Sequence, residues 1–160
     1  MIMKIEELLE HIDLVRENYE IEAKKATGGL PHSLWETYSA FANTDGGIIL
    51  LGVAEYKDHS LHLVNLENVE DMIEEFWQII NDPKKVSKNI LDAEHVQIHH
   101  IHDCTIISIT VPKAYLQDMP VYIGSDPYSG SYYRFGEADI KLPKKQVNAM
   151  LKRRKKRIEN

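Results

Sequence analysis

The chain has almost no cysteine. Its one thiol, Cys104, excludes an internal disulfide framework and a cysteine-built zinc site, and it fits a reducing compartment. Long apolar runs are missing as well. The longest, around Ile48–Leu51, falls far short of the ~20 residues that span a bilayer. The opening Met1-Ile2-Met3-Lys4 does not begin an extended apolar stretch of the signal-peptide kind. These absences lead us to expect a cytoplasmic protein with no membrane partner. No Gly-x-x-x-x-Gly-Lys-Ser/Thr occurs, so ATP hydrolysis lacks its phosphate loop. There is no internal repeat, low-complexity block or interdomain linker. No nucleophile stands in a recognisable Ser-His-Asp or Cys-His context.

What is present is a globular composition with unevenly placed charge. At 160 residues, 43% hydrophobic and 28% charged, the chain fits one domain with a true core. Its net charge of −6 hides an asymmetry. Residues 141–160 hold nine Lys/Arg and one Glu, a balance of +8, whereas the rest holds ten Lys/Arg and 24 Asp/Glu, a balance of −14. Such a body meets nucleic acid only through a local basic surface.

Hydrophobic spacing sets the expected elements. Ile5, Leu8, Leu9 and Ile12 predict an amphipathic helix over about 3–15, and the alternation at 19–24 a short strand. Ser33 and Glu36 read as a capping box for a second helix, whose stripe of Leu34, Tyr38, Phe41 and Ala42 runs to Asn43 or Thr44. Asp45-Gly46-Gly47 then turns the chain into a strand over 48–54, apolar on both faces and therefore central. A short strand at 61–64 pairs with it, and a third helix covers 69–80. Strands at 96–101 and 105–111 join through a tight turn at His102-Asp103. Short strands are expected at 120–123 and 131–134, and Pro143 opens a last helix toward Arg157. The fold class is α/β (α+β), a single domain with a mixed β-sheet flanked by helices.

Four groups of residues bear on chemistry. Glu20, Glu22 and Lys24 share one face of the early strand, and Glu55 follows the central one. Glu17, Glu22 and Glu55 converging near the Gly-Gly turn is the donor set that metal-assisted phosphodiester cleavage needs; otherwise they form the solvated face of an acidic protein. The turn itself aims backbone N–H groups toward one spot, which suits an anion, or it is simply a helix cap. Tyr128–Gly136 interleaves aromatics with Arg134, for stacking and phosphate contact or for packing at a sheet edge. Lys152–Arg157 is a six-residue basic run, a phosphate clamp or a solvated helix end. His95, His99, His100 and His102 alternate between two faces, so they form no single ligand set and read as surface strand residues.

Together these pieces resemble the Schlafen AlbA-type domain family, found in regulator-like bacterial and archaeal proteins and in animal Schlafens. The shared pattern appears here as Glu17, Glu22-Ala23-Lys24, Ala40–Gly47, Gly52-Val53-Ala54-Glu55 and Tyr132-Tyr133-Arg134-Phe135-Gly136. Ala23 stands where the family usually has an aromatic, and Glu55 where it usually has Asp. The resemblance covers about residues 15–155. It implies an Alba-like Schlafen core at about 15–142 with a basic helix at 143–158, the whole of 1–160 being one domain. Regulators of this type usually carry a further C-terminal region, so the chain reads as a stand-alone version or a cut domain.

As function, the resemblance implies a nucleic-acid-binding domain of a transcriptional regulator. DNA or RNA is the partner, and Lys24, Asn43, Asp45, Gly46, Gly47, Arg134, Lys152, Arg153 and Arg154 are the contacts. A second implication is a divalent-metal-dependent endoribonuclease with Glu17, Glu22 and Glu55 holding Mg²⁺ or Mn²⁺. A third is an ATP-binding or homodimerising regulatory domain without chemistry. No other cofactor is implied.

Overall fold

Alternating side chains along two hydrophobic strands set the layer plan. The computed structural model describes the backbone of residues 4–159 and the side chains of residues 4–156. Strand β2 (Gly47–Leu51) pairs antiparallel with β6 (Cys104–Val111) at the centre of a four-stranded sheet. Ile49, Leu51, Ile107, Ile109 and Val111 enter one core, and Leu50 and Ile106 enter the other. Outside them lie β1 (Ile21–Lys24), parallel to β2, and β5 (Val96–Ile101), antiparallel to β6. The sheet order is β1-β2-β6-β5. The mixed α/β class read from the sequence is the observed one.

Helices α2 (Ser33–Asn43) and α3 (Val69–Ile80) cover the first face, where Trp35 stacks on Phe76 at 5.1 Å. The second face is covered by α1 (Ile5–Glu10) and by a hairpin of β3 (Val53–Glu55) and β4 (Leu61–Leu63), through Leu8, Leu9, Val53 and Leu61. After β6 come the short helix α4 (Pro127–Gly130), the hairpin β7 (Tyr132–Phe135) with β8 (Ala138–Lys141), and α5 (Lys144–Glu159). Among the described residues no helix is long and apolar enough to cross a membrane.

Several expectations give way to tertiary contacts. The apolar stretch 48–54 is not one strand. Gly52 takes φ +92°, and a Cβ there would stand 2.9 Å from the Val64 carbonyl oxygen, so the chain kinks and β3 leaves the central sheet. The capping box does not form. Ser33 is already helical and accepts from Lys24 Nζ at 3.1 Å, while Glu36 accepts from the Tyr132 hydroxyl at 3.3 Å. The first helix stops at Glu10, and a 3₁₀ turn at Ile12–Leu14 follows; its expected start at residue 3 lies outside the described residues. Residues 120–123 make only single bridges, Tyr122 to Ser131 and Ile123 to Val86. The turn at His102-Asp103 forms as read, both residues taking positive φ (49° and 64°) as a type I′ hairpin requires. His99 is no surface residue: it is 5% exposed and its Nε2 lies 2.8 Å from Ser108 Oγ.

Candidate functional site

The residues around the Gly-Gly turn assemble into an internal joint. Gly47 lies flat against Phe41, where a Cβ would meet the ring at 2.7 Å. The Arg134 guanidinium stands over the same ring, 4.9 Å from its centroid. Arg134 is 5% exposed. Its Nη1 donates to Asp139 at 2.7 Å, and its Nη2 donates to the Asn18 carbonyl at 2.9 Å and to Glu22 Oε2 at 3.3 Å. Its Nε–H has no protein partner. Asn43 is built in likewise. Its amide donates to the carbonyls of Val121 and Tyr132, both at 2.9 Å, and accepts from the Val121 N–H at 2.8 Å. Thr44 Oγ1 accepts the Arg134 N–H at 2.9 Å. The joint therefore ties α2, β1 and the β7–β8 hairpin together.

Beside it lies a carboxyl cluster. Glu17 precedes β1, Glu22 lies within it, and Glu55 ends β3. The Glu17 carboxyl is within hydrogen-bonding reach of both others. Partial burial first, then the hydrogen bond to and charge of Glu22, then Glu55, push its pKa up to about 9. At neutral pH Glu17 thus carries a proton between its neighbours. Glu22 also faces Lys24 Nζ at 3.6 Å, and Glu55 faces His59 Nδ1 at 3.8 Å. Three carboxylates are a suitable donor set for a hard divalent cation. Yet among the described residues no group of three or more His, Cys, Asp or Glu side chains is disposed as a metal-ligand set. Glu17 lies near enough to Glu22 and Glu55 for both to raise its pKa, but the three are not arranged around a common centre. A cation would have to displace the proton on Glu17.

The cations read from the sequence divide into two populations. Arg134 is buried in the joint and is not open to phosphate, which corrects that expectation. Asn43 is 8% exposed with its amide engaged, and the Gly46 N–H already donates to the Phe41 carbonyl at 2.8 Å; neither faces a ligand. The Lys24 side chain is 10% exposed and held by Glu22 and Ser33. Arg154 donates to the Asp118 carbonyl and, at 3.0 Å, to that of Pro120, so it fastens α5 to the body. By contrast Asp45, Lys152, Arg153, Lys155 and Lys156 are exposed. The side chain of Arg157 lies outside the described residues. Sequence reasoning missed Asp139, which pairs opposite Arg134 across β7–β8. The signal was the two-residue turn at Gly136-Glu137, which sets 135 against 138 and so 134 against 139.

A mixed-sheet α/β domain, with a buried arginine joining a hairpin to the sheet beside clustered carboxyls, is the class this geometry defines. Residues 17–143 match the family model described as Schlafen, AlbA_2, and the chain belongs to that family. In structure it is similar to the N-terminal domain of a RecG-related protein from Nitrosomonas europaea, whose name refers to an ATP-dependent DNA helicase. That likeness has a TM-score of 0.64 and 26% identity, covering 88% of this chain and 94% of that one. The DIP2311 protein from Corynebacterium diphtheriae shares the fold at a TM-score of 0.53 and 15% identity, over 84% of this chain and 28% of that one. Among curated proteins, none matches.

If Arg134 holds the joint, Arg134→Ala leaves half-buried Asp139 without its cation and Glu22 with Lys24 alone. Chemical denaturation should then show a loss of about 3–5 kcal/mol, which Arg134→Lys should not repair because one ammonium cannot fork onto these acceptors. Unchanged stability would return Arg134 to the surface contacts. Glu17 gives a pH signature. Its folded pKa of about 9 lies above the ordinary 4.5, so its contribution is full below about 4.5 and is lost as pH rises through about 9. Glu17→Gln, which keeps the neutral form, should raise the melting temperature at pH 8–9 and leave it unchanged at pH 4; equal effects at both would refute the assignment.

Proposed function

We propose that this chain is a nucleic-acid-binding domain, serving a regulator of transcription, that holds phosphates on the exposed basic face of α5. The observation that carries this reading is the segregation of charge. Lys152, Arg153, Lys155 and Lys156 are exposed and form no ion pair among the described residues, on a body that is otherwise strongly acidic. Phosphate oxygens are the ligands such a strip attracts, with counterions released from the backbone on contact. Of the turn, exposed Asp45 stays in the contact set only at its margin, since it is itself an anion. Membership of the Schlafen, AlbA_2 family and likeness to a domain named for a DNA helicase support the same reading. Fluorescence anisotropy with RNA and DNA oligomers should give affinities that fall steeply with salt. Lys152→Ala combined with Arg153→Ala should flatten the slope of log K against log salt by about 1.4–1.8. Binding that ignores salt, or is absent at low salt, would overturn the reading.

A second reading, a divalent-metal-dependent endoribonuclease, is favoured by one observation: Glu17 lies close enough to Glu22 and Glu55 for both to raise its pKa. Mg²⁺ or Mn²⁺, when bound, supplies an activated water and neutralises charge developing on the phosphate. The chain's own part is to release the Glu17 proton and to hold Glu22 in place through Arg134 and Lys24. Because Glu22 also supports the joint, Glu55→Gln is the cleaner variant. It should abolish Mn²⁺-dependent cleavage of structured RNA without lowering the melting temperature, and cleavage that survives it excludes this chemistry.

A further inference from the structure

On the β5 side of the sheet, opposite the edge that carries Glu22, the loop before β5 and the segment after β6 enclose a cavity of about 490 Å³. That volume lies in the range that small organic ligands fill, and a nucleotide fits it. Both walls are held rigidly to α2. The Tyr38 hydroxyl, from a fully buried ring, donates to the Lys88 carbonyl at 2.7 Å and accepts the Ile90 N–H at 3.1 Å. On the other wall the Ala114 N–H donates to the Ala42 carbonyl at 2.8 Å. Preformed walls spare a ligand the entropy of ordering them.

The lining is chemically mixed. Tyr115 lines the cavity while remaining 74% exposed, so one face of its ring is open. Lys113 is exposed and has no ion pair among the described residues. His95 Nδ1 accepts the Asp92 N–H at 2.8 Å, which places the proton of the neutral ring on Nε2, a donor for a ligand. Two acids are also there: Asp118 is paired with Lys88 at 2.7 Å, and Asp92 caps the turn that begins at Ala93. The same Asp118 carries the carbonyl to which Arg154 is fastened, so the exposed cations of α5 begin at the rim of this cavity.

We propose that the cavity is a base-stacking subsite for a single-stranded nucleic acid: Tyr115 takes an unpaired base, Lys113 takes the adjoining phosphate, and the strand continues along α5. This rests on the nucleic-acid reading above and adds where the strand lies and why it is single. An open tyrosine face stacks an unpaired base, whichever base it is, and finds nothing to stack on in a closed duplex. The Glu17 cluster takes no part.

The test is anisotropy with single-stranded RNA and DNA oligomers and with the matching duplexes, on the wild type, Tyr115→Ala, Tyr115→Phe and Lys113→Ala. Tyr115→Ala should weaken single-strand binding by roughly 5- to 150-fold and leave duplex binding alone. Tyr115→Phe, which keeps the ring, should restore affinity, and Lys113→Ala should weaken binding and flatten the salt dependence. Thermal unfolding of Tyr115→Ala should match the wild type, because the side chain is exposed. If Tyr115→Ala binds single strands as the wild type does, the subsite is wrong while the wider function stands. A loss shared equally by duplexes overturns base stacking. A wild type that binds no oligomer at low salt overturns both.

Discussion

The rest of the molecule depends on the burial of one guanidinium. Removing the Arg134 charge from water costs several kcal/mol unless its donors are met. Here the two terminal nitrogens are met by Asp139, Glu22 and the Asn18 carbonyl, with the Phe41 ring above the plane, and only Nε–H lacks a protein partner. These partners come from β8, β1, the loop before β1 and α2. None of them is near another in sequence except Asn18 and Glu22. The charge is satisfied only when the hairpin, the edge strand and the helix are all in place, so one side chain enforces their relative position. Gly47 belongs to the same constraint, since any larger residue would push Phe41 into Arg134. Asn43 repeats the arrangement with neutral groups, stitching the end of α2 to Val121 and Tyr132.

That constraint changes where ligands can be met. Read as a string, Lys24, Asn43, Gly46 and Arg134 form a polar surface around a glycine turn. Folded, each has its polar groups directed inward at carbonyls and carboxylates of the same chain. An exposed lysine and a buried one are indistinguishable by letter, but they differ in what water has been removed. The exposed cations on the outward turns of α5 stay open to a partner, as do scattered lysines such as Lys113. The acidic body then acts as a field that favours one basic face over any other approach.

How much of this was legible follows from which signals are local. The third helix at Val69–Ile80 and the β5–β6 hairpin with its His-Asp turn were readable, because periodicity and turn chemistry act within a few residues. The break at Gly52 was not, because its cause is Val64, Leu66 and Ile106 crowding the position from elsewhere. Strand β8 escaped for another reason. Its burial does not alternate cleanly, and its worth lies in presenting Asp139 to Arg134 and, at 2.6 Å, to Thr37. Of the site, the three glutamates could be suggested as neighbours from motif order. Which of them holds a proton could not, since that depends on burial and on cations brought in by the fold.

The joint also explains why the proton sits where it does. Glu22 lies beside Arg134 and Lys24, and Glu55 has His59 near it, while Glu17 has among the described residues no cation partner at all. Partial burial of Glu17, and then the charges of Glu22 and Glu55 beside it, hold the proton there. Arg134 holds Glu22, and Glu22 in turn acts on Glu17, so the joint and the carboxyl cluster share one side chain. A divalent cation arriving there would replace a proton instead of filling an open cage, and its binding would grow tighter as pH rises toward 9. Structure and chemistry at this edge of the sheet are consequently one coupled system. The exposed cations of α5 and the cavity lined by Lys113 and Tyr115 share no residue with that system.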